Sequence, residues 1–151
     1  MKPFATCLAV LAGTLAGPAF AQQPKPHAAD TDWVAPAGER SRTSPVPATP
    51  ENLERGRHLY FEHCATCHGD KGKGDGPSAR LHAKRTTRPP HDLTDPAVQA
   101  MMADGEIFWK LTVGYRRDGK VIMPAYETLL PADEDRWRIV QFVRTFGPPS
   151  H

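Results

Sequence analysis

Five consecutive residues carry the most legible chemistry. Cys64-Ala65-Thr66-Cys67-His68 sets two thiols two residues apart, with an imidazole directly after the second. Thiols at this spacing can add across the two vinyl groups of a porphyrin to give thioethers, and the adjoining imidazole can coordinate its iron. C-x-x-C-H therefore reads as the attachment sequence of a c-type haem. At helical rise both sulfurs fall under one edge of the macrocycle, and His68 is aimed at the metal from the same side. The expected cofactor is one haem c, covalent through Cys64 and Cys67, and it would also supply the apolar centre that a short chain lacks.

Two rival readings use the same residues. A zinc site takes four ligands, and no second C-x-x-C and no H-x-x-x-H pairing is present to complete one. A thioredoxin-like pair would follow a strand, and no strand is legible. The compartment bears on the choice. Met1-Lys2 is followed by Phe4 to Phe20 without a charged side chain, ending at Ala19-Phe20-Ala21. This is the pattern of a secretory signal peptide, residues 1–21, leaving a mature chain that starts at Gln22. Cys7 is expected to leave with it. A periplasmic location follows, and that compartment oxidises free thiols. Haem attachment is the preferred reading of the pair, with a disulfide and a metal site as alternatives.

The elements that must position these residues are short. The chain has 151 residues, a 39% hydrophobic fraction, 19 Lys+Arg against 17 Asp+Glu, 16 prolines and 12 glycines. That describes one loop-rich domain with no field strong enough to grip nucleic acid or anionic lipid, and with no transmembrane span in the mature chain. Residues 22–48 are Pro-rich and read as a disordered arm or linker, in which Trp33 is the one residue that could dock on a partner. The domain proper is expected over 49–147, with a tail at 148–151. Thr49 can cap a helix beginning at Pro50, whose Leu53, Gly56, Tyr60 and Cys64 share a face until Gly69. Short helices are expected from Asp95-Pro96, and from Asp104 through Ile107, Phe108 and Leu111 to Gly114. The last starts near Pro131, places Asp133, Glu134 and Asp135 in its first turn, buries Ile139, Phe142, Val143 and Phe146, and stops at Gly147-Pro148. Residues 69–94 and 114–130 read as irregular segments that need something large to organise them. The expected fold is all-α, about four short helices wrapped around one covalently bound haem, with long irregular loops.

With these elements in place, residues 50–147 resemble a class I, monohaem cytochrome c. The resemblance implies a distal iron ligand from a loop just before the last helix, a methionine followed by proline, and Met123-Pro124-Ala125-Tyr126 stands there. Met123 is thus the expected partner of His68 on the iron. Met101 and Met102 fall in a short helix where packing is the simpler role, and His82 and His91 are the competing ligands. The resemblance also implies that Gly56 and Tyr60 meet Phe142. It further implies that the carbonyl of Pro77, in Gly74-Asp75-Gly76-Pro77, accepts the Nδ1 hydrogen of His68; a plain Gly/Pro turn is the alternative. Tyr126, Trp109 and Arg88 are candidate donors to the haem propionates. Leu81, Leu93, Ile107, Leu111 and Leu129 are the expected apolar wall.

An iron capped on both faces offers no open position to a substrate. The expected function is a periplasmic electron carrier, not an enzyme, with His/Met ligation and a comparatively high potential because thioether sulfur favours ferrous iron. Its partners are redox proteins or a membrane respiratory complex. Arg80, Lys84, Arg85 and Arg88, with Arg116, Arg117 and Lys120, form two basic runs that could steer an acidic partner, although such runs are usually solvated faces. The alternatives are an electron-transfer subunit of a membrane oxidase or dehydrogenase complex, and a haem sensor or enzyme in which Met123 is displaceable.

Overall fold

The computed structural model describes residues 33–148. Among them the chain runs α1 (Ala37–Arg40), α2 (Pro50–His63), α3 (Ala65–His68), α4 (Ala79–Thr86), α5 (Pro96–Met101), α6 (Asp104–Val113), β1 (Tyr115–Arg117), β2 (Lys120–Met123) and α7 (Asp133–Arg144). The Thr49 hydroxyl caps α2 by accepting the Asn52 N–H at 3.3 Å, and Pro50 sits in the first turn where no N–H is needed. Three acids fill the first turn of α7, at the positive end of its dipole.

These two helices cross closely, and Gly56 is the reason. A Cβ there would lie 2.1 Å from the Arg138 carbonyl oxygen and 3.2 Å from the Phe142 Cβ, so the backbone of α7 rests on the bare Cα. One turn on, Tyr60 is fully buried with its ring 5.3 Å from Phe142 and 5.2 Å from Phe146. Phe108 of α6 stacks on Trp137 at 4.3 Å and extends the same core. Asp135 ties the crossing at its rim, accepting from Arg55 at 2.8 Å and Arg138 at 2.7 Å. The Arg55 hydrogen bond, with help from Arg138, holds its carboxyl below the usual aspartate range. A depressed folded pKa means stability that is present above the unfolded value and lost as acid titrates the group. Asp135→Asn is expected to cost about 1 kcal/mol at neutral pH, with the penalty vanishing as pH falls below the usual aspartate range; urea midpoints against pH check it.

Three expectations about the fold need correction. First, the helix expected to run unbroken to Gly69 is interrupted at Cys64, where φ −114° and ψ −37° end α2 and begin α3. Second, the two stretches expected to be irregular contain structure: α4 lies in one and an antiparallel hairpin in the other, with Tyr115 opposite Met123 and Arg117 opposite Lys120. Asp118 and Gly119 both take positive φ, 49° and 75°, the conformation of a two-residue hairpin turn whose twist suits the strands. The domain is thus helical as expected, but with more and shorter helices and with one small hairpin among them.

Third, the arm expected over 22–48 is part of the folded unit from residue 33 on. Ala35 and Val46 are buried, Gln141 donates to the Val46 carbonyl, and the Arg42 guanidinium lies 4.4 Å from the Phe108 ring centre. Proline-rich composition speaks against a helix, but here isolated apolar residues and arginines dock singly on α6 and α7. The signal segment 1–21, residues 22–32 and residues 149–151 of the tail lie outside the described residues. Among the described residues no helix is long and apolar enough to cross a membrane.

Candidate haem site

The break at Cys64 turns α3 so that Cys64, Cys67 and His68 all line one cavity of about 400 Å³. Cys64 is buried and Cys67 half-buried. Burial, with Cys67 beside it, pushes the Cys64 thiol up to about 12. The end of α3 is held by the loop that follows it: Gly74, Gly76 and Ser78 donate their N–H groups to the carbonyls of His68, Cys67 and Thr66 at 2.8, 3.1 and 2.8 Å.

His68 is presented as a ligand. Its Nδ1 lies 3.3 Å from the His91 carbonyl oxygen, which can only accept, so Nδ1 carries the proton and Nε2 keeps its lone pair. Burial pulls the imidazole down to about 4, and the nearby His91 and His82 rings push the same way against the His91 carbonyl. The ring is therefore neutral near pH 7. This corrects the acceptor expected from the resemblance: Pro77 is exposed and outside the cavity, and the Gly74–Pro77 loop serves α3 through its N–H groups instead. His82 and His91 both gather around His68.

Met123, at the end of β2, lines the same cavity and is half-buried. The segment after it is fixed at both ends of Tyr126, whose N–H donates to the Leu111 carbonyl at 2.9 Å and whose hydroxyl donates to the His63 carbonyl at 2.7 Å. Tyr126 thus lines the cavity with its proton committed to α2, which removes it as a propionate donor. Met102 also lines the cavity and is buried, but its sulfur accepts from the Lys110 ammonium at 3.5 Å. Of the expected apolar wall, Leu93, Ile107 and Leu111 line the cavity. Leu81 and Leu129 are corrected: they are 51% and 63% exposed and outside it, because α4 turns Leu81 outward and Leu129 stands in the loop before α7. Trp109 also lies outside it, whereas Arg88 is on its wall, 5.9 Å from the Tyr115 ring centre.

Two residues at the cavity do not stand out in the sequence as part of a site. Trp33 stacks on Tyr115 with ring centres 4.7 Å apart and donates its indole N–H to the Gly114 carbonyl at 3.1 Å, so it docks on its own chain. The Lys110 ammonium lies 4.7 Å from the Trp33 ring centre and 3.0 Å from the buried Glu106 carboxylate, which Arg40 approaches at 3.5 Å. For Lys110 the available signal is its helical spacing, one turn after Glu106.

The donor set fits a c-type haem: paired thiols and a neutral imidazole with a free Nε2 on one wall, methionine sulfur on the same cavity, and largely apolar side chains around them. Among the described residues no cluster of three or more Cys, His, Asp or Glu is arranged to hold a metal ion by itself. A small helical domain that brings C-x-x-C-H to an apolar cavity in this way is a cytochrome c domain. Residues 51–143 match the family model described as cytochrome C oxidase, cbb3-type, subunit III, and the chain belongs to that family. Membership implies haem c and electron transfer. No curated protein matches the chain. Among solved structures it is similar to the Kuenenia stuttgartiensis reducing HAO-like protein complex Kustc0457/Kustc0458, at 24% identity and a TM-score of 0.55, over 69% of this chain and 47% of that one. The chain thus spans about half of that structure's chain, and the similarity concerns the fold. It also matches the KustC0563 c-type cytochrome at 24% identity and a TM-score of 0.46, over 62% of this chain and 98% of that one.

Proposed function

We propose that the chain is an exported class I monohaem cytochrome that carries single electrons, with haem c tethered by thioethers at Cys64 and Cys67 and its iron ligated by His68 and Met123. The observation that supports this most is the pairing on one cavity of a neutral His68, its Nδ1 committed to a backbone carbonyl, with a Met123 whose segment is pinned to α2 and α6 through Tyr126. When bound, haem c supplies a reversible ferrous/ferric couple. The chain's own residues do the rest. His91 fixes the tautomer of His68 and raises its basicity. Lys110 occupies the sulfur of Met102, leaving Met123 as the methionine free to ligate. Leu93, Ile107 and Leu111 exclude water, which disfavours the extra charge of ferric iron and raises the potential.

Visible spectra of the mature protein in both oxidation states test the assignment. Met123→Ala is expected to abolish the weak far-red band that ferric iron shows with thioether sulfur, and to lower the midpoint potential. His91→Ala keeps the backbone carbonyl and is expected to retain the band. The reverse pattern would overturn the ligand set, and rapid stoichiometric carbon monoxide binding by the reduced wild type would favour a sensor or enzyme.

The family match favours a second reading, an electron-transfer subunit of a membrane oxidase. Affinity purification from solubilised membranes decides between them: co-purification of a haem-containing oxidase supports the subunit, and recovery only from the soluble periplasmic fraction supports the carrier.

A further inference from the structure

Tyr126 pins the chain just after Met123, but the segment before it is a hairpin of two short strands, a unit of marginal stability by itself. Strand β2 meets α4 across a groove of about 410 Å³, which leaves that flank incompletely packed. Trp33 supplies a further support. Its indole lies nearly parallel to the Tyr115 ring, 18° off with centres 4.7 Å apart, and donates to the Gly114 carbonyl at 3.1 Å. Both residues that it grips lead to Met123. Tyr115 is the register partner of Met123 across the two strands. Gly114, at φ 65°, has no side chain, and a Cβ there would stand 2.7 Å from the Met123 carbonyl oxygen and 2.5 Å from the Ala125 nitrogen. The backbone under Trp33 is therefore in direct contact with the backbone of the Met123 loop.

Trp33 is anchored in turn by residues 35–46, which lie along α6 and α7. Ala35 is buried, and the Glu39 carbonyl oxygen rests on the bare Cα of Gly105, where a Cβ would come within 2.1 Å of it. Arg40 reaches Glu106 at 3.5 Å, and Gln141 donates to the Val46 carbonyl. All of these strap residues precede the span 51–143 that matches the family model.

We infer that residues 33–46 are a strap that latches the Met123 loop, with Trp33 as a positioning residue that keeps the sixth position of the iron closed to small exogenous ligands. The inference rests on the proposed ligation by Met123. For a ligand such as imidazole to enter, its nitrogen–iron bond must form as the Met123 sulfur–iron bond breaks, with no change of oxidation state, and the loop must move away from the cavity. An aromatic stack and a part-buried hydrogen bond each shift such an equilibrium several-fold. Their joint loss is expected to raise the open fraction about 10-fold, and the apparent affinity for a ligand of the open state rises by the same factor.

The test titrates the ferric, haem-loaded mature protein with imidazole and follows loss of the weak far-red band. Trp33→Ala is expected to tighten imidazole binding about 10-fold, and Trp33→Phe, which keeps a stacking ring but no N–H, to fall between it and wild type. Asp135→Asn loosens the α2–α7 crossing without touching the strap; it is expected to lower the urea midpoint yet change imidazole affinity by less than about 2-fold. Amide hydrogen exchange in Trp33→Ala should accelerate at residues 120–125 and not along α2. Unchanged imidazole affinity in Trp33→Ala, or an equal gain in Asp135→Asn, would overturn the latch and leave Trp33 a merely stabilising contact. A wild type that lacks the band and binds imidazole as Met123→Ala does would overturn the ligand assignment instead. Exchange then still decides whether Trp33 holds the loop: the latch stands if residues 120–125 are freed in Trp33→Ala and falls if they are not.

Discussion

Valine at position 56 is expected to unfold the domain under conditions where the wild type is stable, and alanine there to destabilise it clearly. In an isolated helix the sign would be the opposite, because alanine is favoured over glycine by about 1 kcal/mol. At Gly56 the new Cβ would stand 2.1 Å from a backbone oxygen of α7. That oxygen cannot rotate aside as a side-chain atom could, so α2 and α7 must separate, and the separation opens the contacts of Tyr60 with Phe142 and Phe146. Overpacking of this kind costs about 1–3 kcal/mol for one methyl and more for a branched side chain. A domain of this size holds about 5–15 kcal/mol in all. Urea midpoints of Gly56→Ala and Gly56→Val, followed by the haem band and by circular dichroism, check the order. An alanine variant more stable than wild type would show that the crossing is looser than described. The redox potential of whatever fraction folds should stay near the wild-type value, because Gly56 touches helix backbone and not the site.

Both helices of that crossing are legible in the sequence. Thr49 and Pro50 mark one start, a cluster of acids marks the other, and Gly56 lies four residues before Tyr60 on the face that carries Cys64. The thiols and His68 are legible for a different reason, since their chemistry constrains adjacent positions and so leaves a local trace. What stays hidden depends on distant contacts or on subtler local chemistry. Helix α4 has a single large apolar residue, and Leu81 faces solvent, so no apolar stripe announces it; good helix formers and basic residues in its last turn sustain it. The hairpin does carry a local signal in Asp118-Gly119, two residues suited to positive φ between short runs of strand formers. Trp33 and Val46 are masked by the proline-rich segment around them: nothing local distinguishes a docked tryptophan from a solvated one. The acceptor for His68 escapes the sequence for a similar reason. Both Pro77 and His91 follow Gly- or Pro-rich turns, and only the three-dimensional path shows that the 69–78 loop spends its N–H groups on α3 while His91 returns to the imidazole.

Removing both thiols, as Cys64→Ala/Cys67→Ala, is expected to abolish covalent pigment and most cooperative tertiary structure together. The first effect follows from chemistry: without sulfur no thioether forms, and haem extracts into acidified organic solvent, whereas in the wild type it stays with the denatured chain. The second follows from packing. Tyr60, Cys64, Met102, Ile107, Leu111, Ile139 and Val143 belong both to the buried core and to the lining of a cavity of about 400 Å³. On the side that faces that volume these walls gain contacts only from whatever fills it, and lining without partner atoms forfeits that share of its dispersion energy. A tether keeps the filler present at an effective concentration in about the millimolar range for a short link, however dilute the protein. Without the tether, stability becomes an ordinary function of free ligand, growing as RT ln(1 + [L]/Kd). The double variant is therefore expected to melt without a sharp transition when purified away from haem, and to regain part of that transition as haem is titrated in, with His68 and Met123 still able to ligate. Wild type should show no such dependence on added haem. Should the double variant hold its pigment through extraction, or melt as sharply as wild type in haem-free buffer, folding and cofactor would be separate matters in this chain, and a disulfide would become the better reading of the cysteine pair.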